Sequence, residues 1–213
     1  MTLSLLLTGC ASGSNQQNAP VQVDELVSWI ERVHVEAERS RQAIGDSFDR
    51  LNTLASGNFA KEAATVSYAR FVQSIDAAEE QAHRFRETVG PMVAAGEPVF
   101  REWQKSTAAI TSERLRQRSE LRFAVTKERY DAITKAVVPA QDQFDAYVKA
   151  LRDHATFLAH DLNASALDEI QEEVKVVANN ARDLDRLMES SLAASRAYVE
   201  NAALPAAPSG LGR

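Results

Sequence analysis

The feature that most constrains this chain is an alternating spacing of apolar residues, three and four positions apart, through most of its length. Such spacing puts apolar side chains on one face of a helix, and a period near 3.5 residues is typical of helices that supercoil around one another. One uninterrupted series is Tyr68, Phe71, Ile75, Ala78, Ala82, Phe85, Val89 and Met92. The pattern predicts an all-α fold, an elongated antiparallel helical bundle or coiled-coil hairpin of about four long helices, over residues 21–203.

Turn-forming residues divide the pattern into segments. Ser-Gly-Asn at 56–58 and Asp-Leu-Asn at 161–163 predict helix ends, because glycine and asparagine tolerate the left-handed conformation that closes many helices. Residues 90–98 contain two prolines and two glycines, which allow a kinked continuation or a reversal of the chain, and we favour continuation. Pro139 is expected to bend its helix without ending it, since the apolar series stays in phase. Residues 204–213 are expected to form a disordered tail.

Polar residues mark two helix starts and weaken one apolar seam. The acidic residues at 24–25 are expected in the first turn of the first helix, where negative charge suits the helix dipole. Thr111 or Ser112 can cap the third helix. Ser40 and Ser47 fall on the seam of the first helix and weaken its middle.

The composition agrees with a helical protein and argues against some functions. The chain has only 8 Gly and 6 Pro among 213 residues, too few for a many-stranded β fold. Its formal net charge is -6, whereas binding to nucleic acid rests on surplus lysine and arginine. We therefore expect no nucleic-acid partner.

The single cysteine, Cys10, follows a short apolar stretch. Leu-Thr-Gly-Cys at 7–10 resembles a bacterial lipobox, in which the cysteine thiol carries a lipid and becomes the new N-terminus. Residues 1–9 are then a lipoprotein signal peptide and residues 10–20 a flexible tether. The signal is short and lacks a preceding lysine or arginine, which a start codon assigned too far downstream would explain. The alternative is a chance cysteine after an apolar start.

A lipid on Cys10 would attach the chain to the bacterial envelope. No other segment approaches the roughly 20 apolar residues that a membrane-spanning helix needs, so we expect the body to be anchored rather than to span the membrane. Ala11 stands where aspartate commonly signals retention in the inner membrane. We therefore expect the outer membrane, with the protein facing the periplasm.

The most distinctive charged feature is Arg114, Arg118 and Arg122, which are four residues apart and line one face of the third helix. Residues 101–135 contain nine lysines and arginines against five acids, whereas residues 165–200 contain eight acids against four bases. Ion pairing between these neighbouring helices is the interpretation we favour, at about 1 kcal/mol or less per exposed pair. The alternative is a contact surface for phospholipid headgroups, lipopolysaccharide or an acidic protein.

Several short stretches are together similar to a known family. They are Phe-Arg-Glu-Trp at 100–103, Leu-Arg-Gln-Arg-Ser-Glu at 115–120, Tyr-Asp-Ala-Ile at 130–133 and, most specifically, Leu-Ala-His-Asp-Leu-Asn-Ala at 158–164. The chain resembles the bacterial helical lipoproteins catalogued as domain of unknown function 2959, well over its second half and in pattern over its first. Residues 90–98 depart from the uninterrupted helix expected there. The resemblance implies a lipid-anchored envelope protein and supplies no activity, substrate or catalytic residue.

The remaining polar residues predict neither a metal site nor a catalytic residue. His154 and His160 are six apart and so lie on different helical faces, and neither Cys-x-x-Cys nor His-Glu-x-x-His occurs. Acidic pairs such as Glu172 and Glu173 are expected to be solvated, because the Glu-x-x-His motifs of di-iron bundles do not occur. We expect no cofactor and no small-molecule substrate.

These observations favour a structural or interaction lipoprotein, an adaptor that contacts an envelope protein or a second copy of itself. The alternative is peripheral binding to an anionic membrane surface through the arginine face of the third helix. An enzyme is the least favoured class, since a slim bundle offers little room for a concave polar pocket.

Overall fold

A computed structural model of the chain describes residues 15–59 and 62–202. The helices described are α1 (Asn15–Ala55), α2 (Ala64–Ala108), α3 (Glu113–His160), α4 (Ala164–Glu169) and α5 (Gln171–Ala202). With 48 residues, α3 is about 70 Å long at 1.5 Å per residue. The predicted all-α fold is confirmed, and within the described ranges it consists of long helices and the short helix α4.

Helices α2 and α3 pack side by side in opposite directions. Tyr68 Oη donates to the carbonyl of Ala155 at 2.9 Å, and Trp103 Nε1 donates to Ser119 Oγ at 3.1 Å. The start of α2 therefore lies beside the end of α3, and the end of α2 lies beside the start of α3. Each of these helices also packs on a second neighbour, α1 on α2 and α5 on α3, and α1 and α5 close the bundle.

Helices α1 and α5 are antiparallel as well. Gln171 Nε2 donates to the carbonyl of Ala55 at 2.6 Å, and His34 Nδ1 lies 2.9 Å from Ser195 Oγ. The start of α1, the α2–α3 connection at residues 109–112 and the end of α5 therefore lie at one end of the bundle. We call this the turn end; the α1–α2 connection and α4 lie at the opposite end.

The core consists of the apolar seams that the sequence predicts. Every member of the α2 series is buried except Tyr68, which is half-buried, and the α3 seam from Tyr130 to Leu158 is buried too. The largest fully buried side chains include Tyr147, Phe71, Phe85 and Phe144. Burial stabilises the fold by about 1.5–3 kcal/mol for each large apolar side chain, so these seams are the main source of stability.

Polar side chains enter the core along α1, where Ser40 and Ser47 lie on the seam. Both are fully buried, and each hydroxyl donates to the carbonyl four residues earlier at 2.7 Å. Ser47 Oγ also lies 2.9 Å from Tyr147 Oη, and Gln81 donates to the buried Glu36 carboxylate at 2.9 Å. Because these buried groups are hydrogen-bonded, the serines that weaken the apolar pattern are compatible with a packed bundle.

The predicted end of α1 at residues 56–58 and the predicted continuation of helices through their prolines are confirmed. Helix α1 ends at Ala55, and Gly57 has a φ of 64°, the left-handed conformation expected after a helix. Helix α2 continues through Pro91 and Pro98, and α3 continues through Pro139. Each interior proline costs about 3 kcal/mol or more, and the apolar residues that stay buried on both sides of it offset this cost.

Two helix boundaries differ from the sequence-based prediction. Helix α1 begins at Asn15, so residues 15–20, which we assigned to the tether, are helical, and the acidic residues at 24–25 lie beyond the first turn. A helix held by packing extends readily into adjacent polar residues, because elongation is easier than nucleation. The predicted last helix is divided at the buried Ile170. The Asn163 side chain starts α4 by accepting a backbone N–H three residues later at 3.0 Å.

Two buried tyrosines predict a loss of stability in alkaline solution. Burial raises the pKa of Tyr147 and Tyr198 from 10.0 to about 12. The folded state keeps both protons after the unfolded chain has lost them, so stability is complete below pH 10.0 and falls as the pH rises toward about 12. Calorimetry at stepped pH should show Tm falling in this window. The double variant Tyr147→Phe/Tyr198→Phe should show a shallower fall; an unchanged slope would contradict the burial of these hydroxyls.

Candidate functional site

Arg114, Arg118 and Arg122 lie in the first third of α3, at the turn end, and all three are exposed. Helix α3 starts after Ser112, one of the two residues predicted to cap it, although the serine hydroxyl makes no capping hydrogen bond. Successive arginines are about one turn apart, so the three guanidinium groups follow the outward side over about 12 Å of helix. Phe123 marks the opposite side of this segment, which packs toward α2.

None of the three arginines forms an ion pair or hydrogen bond with any residue that the structure describes. The nearest acids along the chain face another base: Glu113 pairs with Arg116, and Glu120 lies 3.9 Å from the same guanidinium. The next acid on the outward side is Glu128, nearly three turns beyond Arg118, the middle of the arginine series. The outward side therefore carries uncompensated positive charge on a chain whose net charge is -6.

The ion pairing that the sequence favoured between α3 and the last helix is wrong for these arginines. Helix α5 pairs instead with α1, where Arg41 Nε and Nη2 lie 2.6 and 3.1 Å from the two oxygens of Asp185. Helix α3 pairs with α2, where Arg152 Nη2 lies 2.5 Å from Asp76 and 2.6 Å from Glu79. The acids counted as possible partners are thus in contact with other bases or elsewhere on the surface.

The longitudinal alignment of α3 and α5 explains this difference. Tyr198, near the end of α5, lies close enough to Tyr130 for the two to interact electrostatically. Arg122, the member of the arginine series nearest to Tyr130, lies about two turns closer to the turn end than Tyr130, past the last acid of α5, Glu200. Counting charges per segment could not reveal this offset, because it depends on where each helix begins and ends.

Three exposed apolar side chains accompany the arginines. Leu115 is 53% exposed, Leu121 67% and Val125 37%. Leu121 follows Arg114 by seven residues and Val125 follows Arg118 by seven, about two helical turns, so each lies on the same side as its arginine. Exposed apolar groups interleaved with basic ones are typical of helices that bind membrane surfaces. We call this surface the arginine–leucine face: Arg114, Leu115, Arg118, Leu121 and Arg122.

The arginines of this face were predicted from their spacing, whereas its leucines were not. The signal was available, since residues seven apart in a heptad pattern share a side of the helix. It was missed because exposed leucines are common on protein surfaces and are not informative alone. Their position beside unpaired arginines is what gives them significance.

An aromatic cluster holds this part of α3 against α2. The Phe123 ring meets Trp103 edge-on at 5.8 Å between centroids and Phe100 at 6.0 Å. Trp103 Nε1 donates to Ser119 Oγ, which lies 2.6 Å from Thr107 Oγ1. Phe100 and Trp103 follow the two prolines of α2, so the uninterrupted course of that helix supports the arginine–leucine face.

The histidines lie at different places in the bundle. His34 bonds Ser195, and His154 Nδ1 lies 2.7 Å from the carbonyl of Ala150. His160 ends α3 and is exposed. Among the described residues, no group of three or more histidine, cysteine or acidic side chains could hold a metal ion.

The predicted lipidation site, Cys10, lies outside the described residues, as do residues 1–9 and the tail at 204–213. None of the described helices is both long enough and apolar enough to cross a bilayer.

A family model described as "Protein of unknown function (DUF2959)" matches residues 20–202 of this chain. The match extends over α1 to α5, including the first half, where the resemblance rested on pattern alone. No curated protein and no solved structure matches the chain.

Proposed function

The chain belongs to the family described as Protein of unknown function (DUF2959), and we propose that it is a lipid-anchored interaction protein of the bacterial envelope. A lipid on Cys10 holds it at the outer membrane, and the bundle faces the periplasm. The arginine–leucine face is the observation that carries the proposal. Its three guanidinium groups are exposed and form no ion pair among the described residues, as a contact site for an anionic partner requires.

The packing of the helix that carries this face supports a role in binding. Its helix is fixed by the contacts of Phe123 with Trp103 and Phe100, so the backbone that carries the arginines is ordered before any partner arrives. Preordered contact groups lose less conformational entropy on binding. The proposal assigns the face to an envelope component or a second copy of the chain, and it includes no reaction, cofactor or metal.

The anchor is tested by Cys10→Ser. We expect the parent protein, expressed in a bacterium that processes lipoproteins, to incorporate labelled palmitate and to fractionate with the outer membrane. The variant should incorporate no label and appear in the soluble periplasmic fraction, because the serine hydroxyl does not replace the thiol in lipid transfer. Ser12→Ala is the matched control and should keep the label. A soluble, unlabelled parent protein would contradict the anchor.

The contact surface is tested by placing a photo-crosslinking residue at position 118 or at position 182 in intact cells. Both positions are exposed arginines, on α3 and α5 respectively, so labelling and charge loss are matched. We expect position 118 to capture an envelope component or a second copy of the chain, and position 182 to capture much less. Equal yields from the two positions, or none from either, would count against an interaction role for the arginine–leucine face.

A further inference from the structure

We propose that the arginine–leucine face binds the anionic phospholipid headgroups of the same membrane leaflet that holds the lipid on Cys10. The protein would then contact its membrane at two points, the covalent lipid and the first third of α3. This inference rests on the proposed function, because it takes the anchored state as its starting point, and it names the partner of the face.

The position of the face within the bundle supports this inference. Helix α1 begins at the turn end, where α2 passes into α3. Gln81 contacts Glu36 across α1 and α2, and counting back along these antiparallel helices places Asn15 roughly level with residue 102 of α2. The next residue of α2, Trp103, donates a hydrogen bond to Ser119. Ser119 lies in the middle of the arginine series on α3. The start of α1 and the arginine–leucine face therefore lie at the same level.

The length of chain between Cys10 and the bundle keeps the two close together. Asn15 follows Cys10 by five positions, and five residue steps can span at most about 18 Å even when fully extended. A lipid on Cys10 therefore keeps the turn end close to the headgroups. Tethering at this range corresponds to an effective concentration on the order of millimolar, so even a weak second contact would be occupied.

The chemistry of the face matches that of a phospholipid headgroup layer. A guanidinium group donates two hydrogen bonds to one phosphate in a planar fork, and three such groups lie along about 12 Å of helix. Leu115 and Leu121 are more than half exposed and are placed to enter the boundary between headgroups and acyl chains while the arginines remain at the phosphates.

The shape of the face favours a membrane over an acidic protein. The face is the outward side of a single helix, which is convex, and its apolar groups are separated by charges. A protein partner is usually recognised through a contiguous apolar centre surrounded by a polar rim. A fluid headgroup layer can conform to a convex helix, so a lipid surface satisfies both the arginines and the leucines.

The test uses the full chain carrying Cys10→Ser, so that binding depends on the protein surface alone. Vesicles of phosphatidylglycerol and phosphatidylethanolamine, and vesicles of phosphatidylcholine, are mixed with the protein and sedimented. We expect binding to the phosphatidylglycerol vesicles only, weakening as salt is raised. Arg114→Gln/Arg118→Gln/Arg122→Gln should reduce the affinity about 100-fold. Each basic residue near an anionic surface raises the affinity roughly 5-fold, and the effects of three such residues multiply.

The matched control is Lys175→Gln/Arg182→Gln/Arg186→Gln, which removes the same charge from exposed positions on the first half of α5, toward the opposite end of the bundle. It should bind like the parent protein. Leu115→Ser/Leu121→Ser should reduce the affinity about 10-fold at any salt concentration, because burial of apolar area is not screened. Unchanged circular dichroism and Tm would show that each variant folds. We expect this because the replaced side chains are exposed and have either no described partner or only neighbours on their own helix.

The inference is overturned if the Cys10→Ser protein does not bind phosphatidylglycerol vesicles. It is also overturned if the triple variant on α3 and the triple variant on α5 lose vesicle affinity equally. Capture of an acidic envelope protein at position 118 without vesicle binding would also overturn it, and would leave the proposed interaction role standing. Failure of lipid labelling at Cys10 would instead remove the proposed anchor, whatever the vesicles show.

Discussion

Replacing Tyr147 by alanine is expected to lower the free energy of unfolding by about 3–5 kcal/mol, the range for deleting a large aromatic side chain from a core. Tyr147 is fully buried on α3. Its hydroxyl donates to the carbonyl of Ile44 at 3.0 Å and lies 2.9 Å from Ser47 Oγ, so it joins α3 to α1 across the bundle. Chemical denaturation followed by circular dichroism measures the change.

Tyr147→Phe separates the ring from the hydroxyl. This variant should cost only about 0.5–1.5 kcal/mol, because it removes the hydroxyl while Ser47 keeps its bond to the Ala43 carbonyl. Phe157→Ala is a second control on the same helix, since Phe157 is 45% exposed, and its cost should be well below that of Tyr147→Ala. Similar costs for the two alanine variants would mean that Tyr147 does not occupy the core.

Alanine at position 96 is expected to destabilise the protein by about 1–2 kcal/mol, although alanine normally stabilises a helix interior relative to glycine. Gly96 is buried in α2 against the Tyr130 ring of α3. A Cβ added there would lie 2.8 Å from Tyr130 Cε2 and closer still to Cζ and Oη. The ring packs on Phe100, with centroids 5.0 Å apart, and cannot shift without disturbing that contact, so overpacking outweighs the helix propensity.

Gly45→Ala is the matched control for this prediction. Gly45 is exposed within α1, and an added Cβ would meet nothing within 4 Å, so the substitution should stabilise by about 0.5–1 kcal/mol. In the background of Tyr130→Leu, which removes the ring, Gly96→Ala should lose most of its cost, a coupling of about 1–3 kcal/mol. If Gly96→Ala stabilised the protein as Gly45→Ala does, the close approach of α2 and α3 would be wrong.

The substitutions that test membrane binding are expected to leave the stability of the fold unchanged, unlike those at Tyr147 and Gly96. The charge triplets change exposed side chains that have no described partners or only neighbours on their own helix, so they should leave stability unchanged while altering binding. A variant that lost both stability and vesicle binding would say nothing about headgroups. The choice of exposed positions avoids this outcome, and Tm measured beside binding verifies it.

The fold class was predictable because it depends on local periodicity. Apolar side chains spaced three and four apart can be buried together only on a helix, and the buried members of the α2 and α3 seams are those the spacing predicts. The same reasoning anticipated passage through Pro91, Pro98 and Pro139, since the series stays in phase across each proline. It did not anticipate the break at Ile170, where an apolar residue that fits the pattern lies between α4 and α5.

The candidate site was predictable only in part. The four-residue spacing of Arg114, Arg118 and Arg122 identified a charged face, but the sequence favoured neutralisation by the last helix. That inference used the number of charges in each segment and not their level along the bundle. A shift of a few turns between antiparallel helices changes which side chains meet. Because the apolar pattern repeats every seven residues, two helices can bury their apolar faces equally well in several such alignments, and the pattern does not select one.

The sequence by itself therefore determined that the chain is helical, which side of each helix is buried and where most helices end. These properties follow from backbone preferences and from side chains within one or two turns of each other. Only the tertiary structure decided that Gly96 faces Tyr130, that Arg41 and Arg152 take the acids of their neighbours, and that the arginine–leucine face lies level with the start of α1. Such pairings join residues far apart in the chain, and they depend on the longitudinal alignment of whole helices, which is fixed by the summed packing of the core.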